Sequence, residues 1–301
     1  LLCLLRKNFY EAFKMEQLLE KALILQEALP FIRDFYGKIF VVKYGGAAME
    51  EEELKHSFAK DIALLRYVGI KVVLVHGGGK DITNMLNKLN IQTEFINGIR
   101  KTDKESLDVA KMVLIGKLNK DIVSMLNKEM SNMHGAIGLS GIDANLLICT
   151  KYYQDGEDIG YVGKVKTVNT KLIRELIQMD YTPVIAPIGI DPESNQMYNV
   201  NADMAATEIA CELGAEKLIF LTDTDGILDK SGKTISSIHK SQYKELIEDG
   251  TITKGMIPKI NSAIDAILRG VRKVHIINGK IKHSILIEVF TKEGIGTEIS
   301  L

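Results

Sequence analysis

The chain is constrained most by one short stretch, Ile39-Phe40-Val41-Val42-Lys43-Tyr44-Gly45-Gly46, an apolar and partly β-branched run ending in a lysine and two glycines. A run of this kind, bounded by glycine, fits a strand covered on both faces. At its carboxyl end, residues without Cβ let the backbone turn tightly and bring N–H groups close to a ligand. Lys43 adds a compact point charge suited to phosphate. Alone, the stretch describes a surface lysine before a turn equally well. The design recurs, however, in Lys71-Val72-Val73-Leu74-Val75-His76-Gly77-Gly78-Gly79. A third element, Asn199-Val200-Asn201-Ala202-Asp203, opens a helix that Asn201 can cap.

With 301 residues, 46% hydrophobic and 26% charged, the chain can bury a large core in one large domain or two. Lys plus Arg number 38 and Asp plus Glu 39, so no field of one sign is available to attract nucleic acid or an anionic membrane. The three cysteines, Cys3, Cys149 and Cys211, lie far apart and outside any CxxC, which fits reduced core thiols. No apolar run approaches the roughly 18 residues of a membrane span. The expectation is a cytoplasmic protein with neither a nucleic-acid nor a membrane partner. The first residue is not Met, and Met15 is a candidate start, which would make residues 1–14 an upstream addition.

In chain order, apolar residues every three or four positions predict a helix over residues 16–36, with a kink at Pro30. A helix this apolar needs a cover, from its own domain in the commoner case or from another subunit. Helices are then expected over 50–67, from 81, over 103–130, 170–179, 202–213, 241–249 and 257–269. Strands are expected over 39–44, 71–75, 184–188, 218–221 and 274–277, followed by an apolar segment over 285–290. The strand, glycine, helix alternation is βαβ logic and predicts a mainly parallel sheet. Strands over 136–139, 146–150 and 161–167 lack intervening helices and are expected to be antiparallel. A boundary is expected near 198–202.

Elimination narrows the phosphate motifs. Gly226 to Gly232-Lys233-Thr234 has five intervening residues where a P-loop needs four, and no G-x-G-x-x-G occurs. What remains is two glycine clusters after strands and an acidic turn, Asp223-Thr224-Asp225-Gly226, after a third. In an open α/β sheet, ligands sit beyond the carboxyl ends of strands. Two anion-friendly nests and an acidic turn suggest phosphate passed between two bound partners.

From about residue 25 to 299 the chain resembles the acetylglutamate kinases of the amino-acid kinase family. The resemblance rests on Leu29-Pro30-Phe31-Ile32 with Phe35-Tyr36-Gly37-Lys38, Val42-Lys43-Tyr44-Gly45-Gly46, His76-Gly77-Gly78-Gly79, Asn97-Gly98-Ile99-Arg100, Tyr198-Asn199-Val200-Asn201-Ala202-Asp203 and Gly255-Met256-Ile257-Pro258-Lys259. It implies an α/β fold, an open mainly parallel sheet sandwiched between helices, with a kinked amino-terminal helical extension. The implied parts are that extension over 1–36, an acceptor lobe over 37–200 and a nucleotide lobe over 201–301. ATP would phosphorylate the side-chain carboxylate of N-acetyl-L-glutamate, an early step of arginine biosynthesis. Lys43 and Lys259 would stabilise the transferring phosphoryl, Asp203 would hold both lysines, and Gly46 and Gly78 would donate backbone N–H groups. Gly78, Gly79, Arg100 and Asn199 would bind the acceptor, Arg100 as a bidentate clamp. Asp223, Thr224, Asp225, Gly226, Ile227, Leu228, Thr251, Ile252 and Thr253 would line the nucleotide site. Magnesium would be held mainly by ATP phosphates, with no protein ligand. His76 reads as structural, because an ionised carboxylate acceptor needs no base.

The resemblance also implies feedback inhibition by arginine at His275, Glu288 and Gly294, and a hexamer built as a trimer of dimers through the amino-terminal helix. It admits a PII-type signalling partner. Without it, His275 and Glu288 read as ordinary strand-end polar residues. Three positions depart from the family pattern: Lys80 and Lys101 add positive charge near the acceptor, and Phe31 replaces a tyrosine in the arginine signature. Other readings are an aspartate, carbamate, nucleotide or aminoadipate-type acceptor, a non-catalytic arginine-sensing scaffold, and least of all a dehydrogenase.

Overall fold

The computed structural model describes residues 2–131, 134–252 and 256–301. Thr253 and Gly255, singled out from the sequence, lie outside the described residues. The chain opens with α1 (Leu2–Phe35), β1 (Ile39–Tyr44), α2 (Glu52–Tyr67), β2 (Lys71–His76) and α3 (Gly79–Lys88). A short hairpin, β3 (Phe95–Ile96) and β4 (Ile99–Arg100), leads into α4 (Lys104–Lys111). A π-helical segment, Met112–Leu118, joins α4 to α5 (Asn119–Glu129). Next come β5 (Ala136–Ser140), β6 (Leu147–Gln154), β7 (Glu157–Val168), α6 (Lys171–Gln178), β8 (Thr182–Ala186), β9 (Ile188–Asp191) and β10 (Gln196–Val200). The remainder is α7 (Ala202–Leu213), β11 (Lys217–Thr222), β12 (Ser237–His239), α8 (Tyr243–Glu248), α9 (Ile257–Leu268), β13 (Lys273–Asn278), α10 (Ser284–Phe290) and β14 (Thr297–Ser300).

Eight strands form one sheet in the order β12-β14-β13-β11-β1-β2-β8-β5. Its neighbours run parallel except β13 and β14. Because side chains alternate across a strand, Val41 and Val73 enter one apolar cluster while Phe40, Val42 and Leu74 enter the other. Ala206, Ile209 and Ile264, on α7 and α9, cover the first face; Phe58, Ile62 and Leu126, on α2 and α5, cover the second. The sheet is thus buried on both sides, as the near-continuous apolar strands require. Strand β11 lies beside β1, so chain on both sides of residue 200 builds one sheet. The carboxyl ends of β1, β2 and β11 and their following loops therefore meet along one edge.

Several expectations are corrected. Residues 136–139 do not pair antiparallel with the strands that follow; β5 runs parallel to β8 at the sheet edge. Strands β6 and β7 do pair antiparallel, in a small closed barrel with β9 and β10. Periodicity cannot tell these apart, since both are short apolar runs. The segment 285–290 lies within helix α10, so Glu288 stands on a helix and not at a strand end. Helix 103–130 carries the π-helical segment in its middle. The first helix starts at Leu2 instead of residue 16, with Pro30 inside it. Among its described side chains, Ala28, Phe31, Ile32 and Phe35 at its end pack on the body. Leu19, Leu23, Ile24 and Leu25 are exposed, Leu25 by 72%. Cover from its own domain is therefore lacking at these described residues. Among the described residues, no helix is long and apolar enough to cross a membrane.

Candidate active site

A cleft of about 230 Å³ opens beyond the carboxyl ends of β1 and β2. It is lined by Lys43, Gly46, Gly78, Gly79, Arg100, Asn199 and Asp203 among others. A larger cavity, about 450 Å³ beside α2 and α5, contains none of these residues, so size does not locate the chemistry.

Asp203 is the organising group. Asn201 caps α7, its side-chain oxygen accepting from the Asp203 and Met204 N–H groups, which places Asp203 in the first turn. One carboxylate oxygen lies 3.0 Å from Lys43 Nζ on β1, and the other accepts from Lys259 Nζ on α9 at 2.6 Å. Burial alone pushes the Asp203 carboxyl up; the charges of Lys43 and Lys259 outweigh it and hold it at about 2. One half-buried carboxylate thus holds two ammonium groups from opposite ends of the chain.

The glycines form the floor. Gly46 adopts φ 65°, a conformation that disfavours a side chain, and a Cβ there would collide with the Asp223 carboxylate. That contact brings the acidic turn after β11 against the turn after β1. Gly78 caps α3, and a Cβ there would collide with Leu118 and Leu114 of the π-helical segment. Gly77 N–H donates to the Tyr44 carbonyl at 2.8 Å, stitching the two glycine loops together.

Arg100 is buried beneath the β3–β4 hairpin, 4.5 Å from the Phe95 ring centre. Its terminal nitrogens donate to Thr93 Oγ1 at 2.5 Å, Thr83 Oγ1 at 2.6 Å and the Gly79 carbonyl at 2.8 Å. The guanidinium is oriented by these bonds while still lining the cleft. Asn199 donates to Thr102 Oγ1 at 3.4 Å. The added charges at Lys80 and Lys101 are paired, with Glu50 at 2.6 Å and Glu94 at 3.5 Å, so they change the local field little.

The proposed nucleotide residues occupy the adjoining edge. Asp225 accepts from Asn278 Nδ2 at 2.6 Å, and Gly226, at φ 121°, abuts Thr297. Thr222, just before Asp223 and Thr224, bonds the Thr224 N–H and carbonyl. Ile227 and Ile252 are core side chains, 1% and 3% exposed, so only their backbone can face a ligand. Thr251 is buried and Leu228 partly exposed.

His275 and Glu288 meet in a buried cluster elsewhere on the molecule. His275 Nδ1 donates to Glu288 at 2.7 Å, and the other Glu288 oxygen accepts from the Ile295 and Gly296 N–H groups. Gly294, at φ 61°, leaves room for that carboxylate. The sequence reading named His275, Glu288 and Gly294 without assigning these N–H groups, which Glu288 itself takes. It also missed Lys217, whose ammonium lies 2.7 Å from His275 Nε2 and 5.0 Å from the Phe35 ring centre. Burial pulls Lys217 down to about 8. The signal in the sequence was a lysine directly before the apolar run Leu218-Ile219-Phe220-Leu221, whose strand is buried throughout.

Comparison with known proteins places the chain in a family. Residues 38–278 match the model of the amino acid kinase family. An acetylglutamate kinase of Hydrogenobaculum sp. (strain Y04AAS1) is 99% identical over 287 residues, covering 95% of this chain and 100% of that one. The acetylglutamate kinase of Aquifex aeolicus (strain VF5) is 54% identical, with 95% and 100% covered. Among solved structures, N-acetylglutamate synthase from Neisseria gonorrhoeae, complexed with coenzyme A and N-acetyl-glutamate, superposes at TM-score 0.80 with 28% identity, over 93% of this chain and 63% of that one. The same synthase with coenzyme A and L-arginine gives 0.76 at 26% identity, over 93% and 65%. The chain belongs to the amino acid kinase family and, within it, to the acetylglutamate kinases.

Proposed function

We propose that this cleft transfers the γ-phosphoryl group of ATP to the side-chain carboxylate of N-acetyl-L-glutamate. The observation that carries the reading is Asp203 bridging Lys43 and Lys259 between two glycine loops. Phosphoryl transfer needs placement and charge neutralisation more than covalent catalysis. A carboxylate oxygen of the acceptor forms the new bond to phosphorus as the bond to the bridging oxygen of ADP breaks, and the ionised acceptor has no proton to remove. Lys43 approaches from the acceptor side and Lys259 from the nucleotide side. Gly46 and Gly78 offer backbone N–H groups to the same phosphoryl oxygens. Arg100, already oriented by Thr83, Thr93 and Gly79, takes the α-carboxylate, and Asn199 the acetamido group. The turn from Asp223 to Leu228 and the segment at Thr251 border the nucleotide. Magnesium, bound with the nucleotide, would supply further charge neutralisation at the phosphates.

We extend the reading to regulation. The buried cluster of Lys217, His275 and Glu288 beside Gly294 is an arginine-responsive site, supported by the Neisseria synthase relative having been solved with L-arginine. The exposed apolar face of α1 joins subunits into a hexamer.

The test is an ATP-consumption assay over a panel of carboxylate acceptors, with hydroxylamine trapping the acyl phosphate. N-acetyl-L-glutamate should give the most acyl hydroxamate. Preference for aspartate or an aminoadipate-type acceptor would overturn the acceptor assignment.

A further inference from the structure

The glycine loop after β2 is held by a histidine that the reaction does not consume. His76 is 0% exposed, and its ring is bracketed by two groups of opposite demand. Nδ1 lies 2.9 Å from the Gly77 carbonyl oxygen, and Nε2 lies 3.3 Å from Asn119 Nδ2. A carbonyl only accepts, so Nδ1 carries the proton. An amide nitrogen only donates, so Nε2 carries the lone pair. The orientation of the Asn119 amide is settled independently. Its nitrogen also faces the Val184 carbonyl at 2.9 Å and the Leu139 carbonyl at 3.2 Å, while its oxygen accepts from Lys120 Nζ at 3.2 Å. Both contacts therefore select the same neutral tautomer.

The Gly77 carbonyl and the Gly78 N–H belong to one planar peptide unit, so fixing the first aims the second in the opposite direction. The unit is also confined from the side by Leu114 and Leu118, against Gly78. Both leucines sit in the π-helical segment that ends beside Asn119. We infer that His76, held in one tautomer by Asn119, is a positioning residue that orients the Gly77–Gly78 peptide so that the Gly78 N–H meets the transferring phosphoryl group. The inference rests on the reading that this N–H serves the phosphoryl. Burial pulls the imidazole down to about 4, against the pull of its bond to Gly77, so at neutral pH His76 contributes direction and no charge.

The experiment compares wild type, His76→Asn, His76→Gln, Asn119→Ala and the His76→Asn/Asn119→Ala double variant, each with melting curves and hydroxamate-trapped kinetics. An asparagine amide can place a donor where Nδ1 stands; a glutamine amide reaches the Nε2 position instead. His76→Asn should stay within about threefold of wild-type kcat. His76→Gln should lose about tenfold or more, with both KM values moving less than about threefold, as expected for an interaction made in the transition state. Asn119→Ala should lower kcat in wild type and add no further loss in the His76→Asn background. Equal losses in the Asn and Gln variants, or an Asn119 effect that persists without the imidazole, would overturn the positioning role and leave the acceptor reading intact. A wild type that makes no acyl phosphate would instead sink the acceptor reading. Where a variant does not fold, ring-nitrogen spectra of the wild type decide: Nδ1–H is expected at pH 7, and an Nε2–H tautomer or an imidazolium refutes the arrangement.

Discussion

Replacing Asp203 with asparagine keeps the shape of the side chain and removes the charge shared by Lys43 and Lys259. Holding the carboxyl at about 2 instead of 3.8 favours its ionised form by about 2.4 kcal/mol, at roughly 1.36 kcal/mol per pH unit. Burial is already included in that figure, because it opposes the lysines in setting the same value. Asp203→Asn should therefore cost about 2 kcal/mol of stability at pH 7, or about 3 °C in melting temperature. It should also lower turnover by about 10²- to 10³-fold, since two unpaired ammonium groups repel and leave the phosphoryl site. The pH dependence gives the sign. The folded-state pKa lies below the unfolded one, so the contribution is complete above about 4 and is lost as pH falls through about 2. Urea unfolding of both proteins at pH 7, 5 and 3 should show a constant gap between the first two and a narrower one at the third. Equal stability at pH 7, or a gap that widens toward pH 3, would refute the argument.

Lys43→Ala and Lys259→Ala should each fold normally and lose about 10²-fold or more in turnover; near-normal kcat in either removes that lysine from the phosphoryl site. Arg100→Lys loses the planar fork that serves Thr83, Thr93 and Gly79 together, so the acceptor KM should rise about tenfold while that of ATP moves little. Equal rises would mean that Arg100 braces the hairpin and does not clamp the acceptor. Glu288→Ala should keep its activity as arginine is raised to millimolar levels while the wild type loses it. Removal of the chain before Leu29 should give dimers by sedimentation; an unchanged hexamer would exonerate α1.

Much of the site was legible because its parts are local. Strand-then-glycine at Lys43 to Gly46 and at His76 to Gly79 is set by β-branched residues beside residues without Cβ, and both features act over a few bonds. The cap at Asn201 likewise announces α7 and puts Asp203 in its first turn. What those features meet was not legible. Lys217 and His275 lie 58 residues apart, and only the parallel pairing of β11 with β13 brings the ammonium within 2.7 Å of the imidazole. Asn119 reads as one polar residue in a long helix until the fold brings its amide to His76, Leu139 and Val184.

The sequence by itself determined the local chemistry of this protein: which strands are buried, where the backbone can turn, and which charges stand next to the turns. The tertiary structure alone decided pairing. It set β5 parallel on the main sheet and closed β6, β7, β9 and β10 into a barrel, a choice that periodicity cannot make because both are short apolar runs. It also brought Lys43 and Lys259 to the two oxygens of Asp203, at 3.0 and 2.6 Å. Hydrophobic burial brings such elements together without reading their polar residues, and the desolvation that follows makes a carboxylate between two lysines a strongly perturbed group.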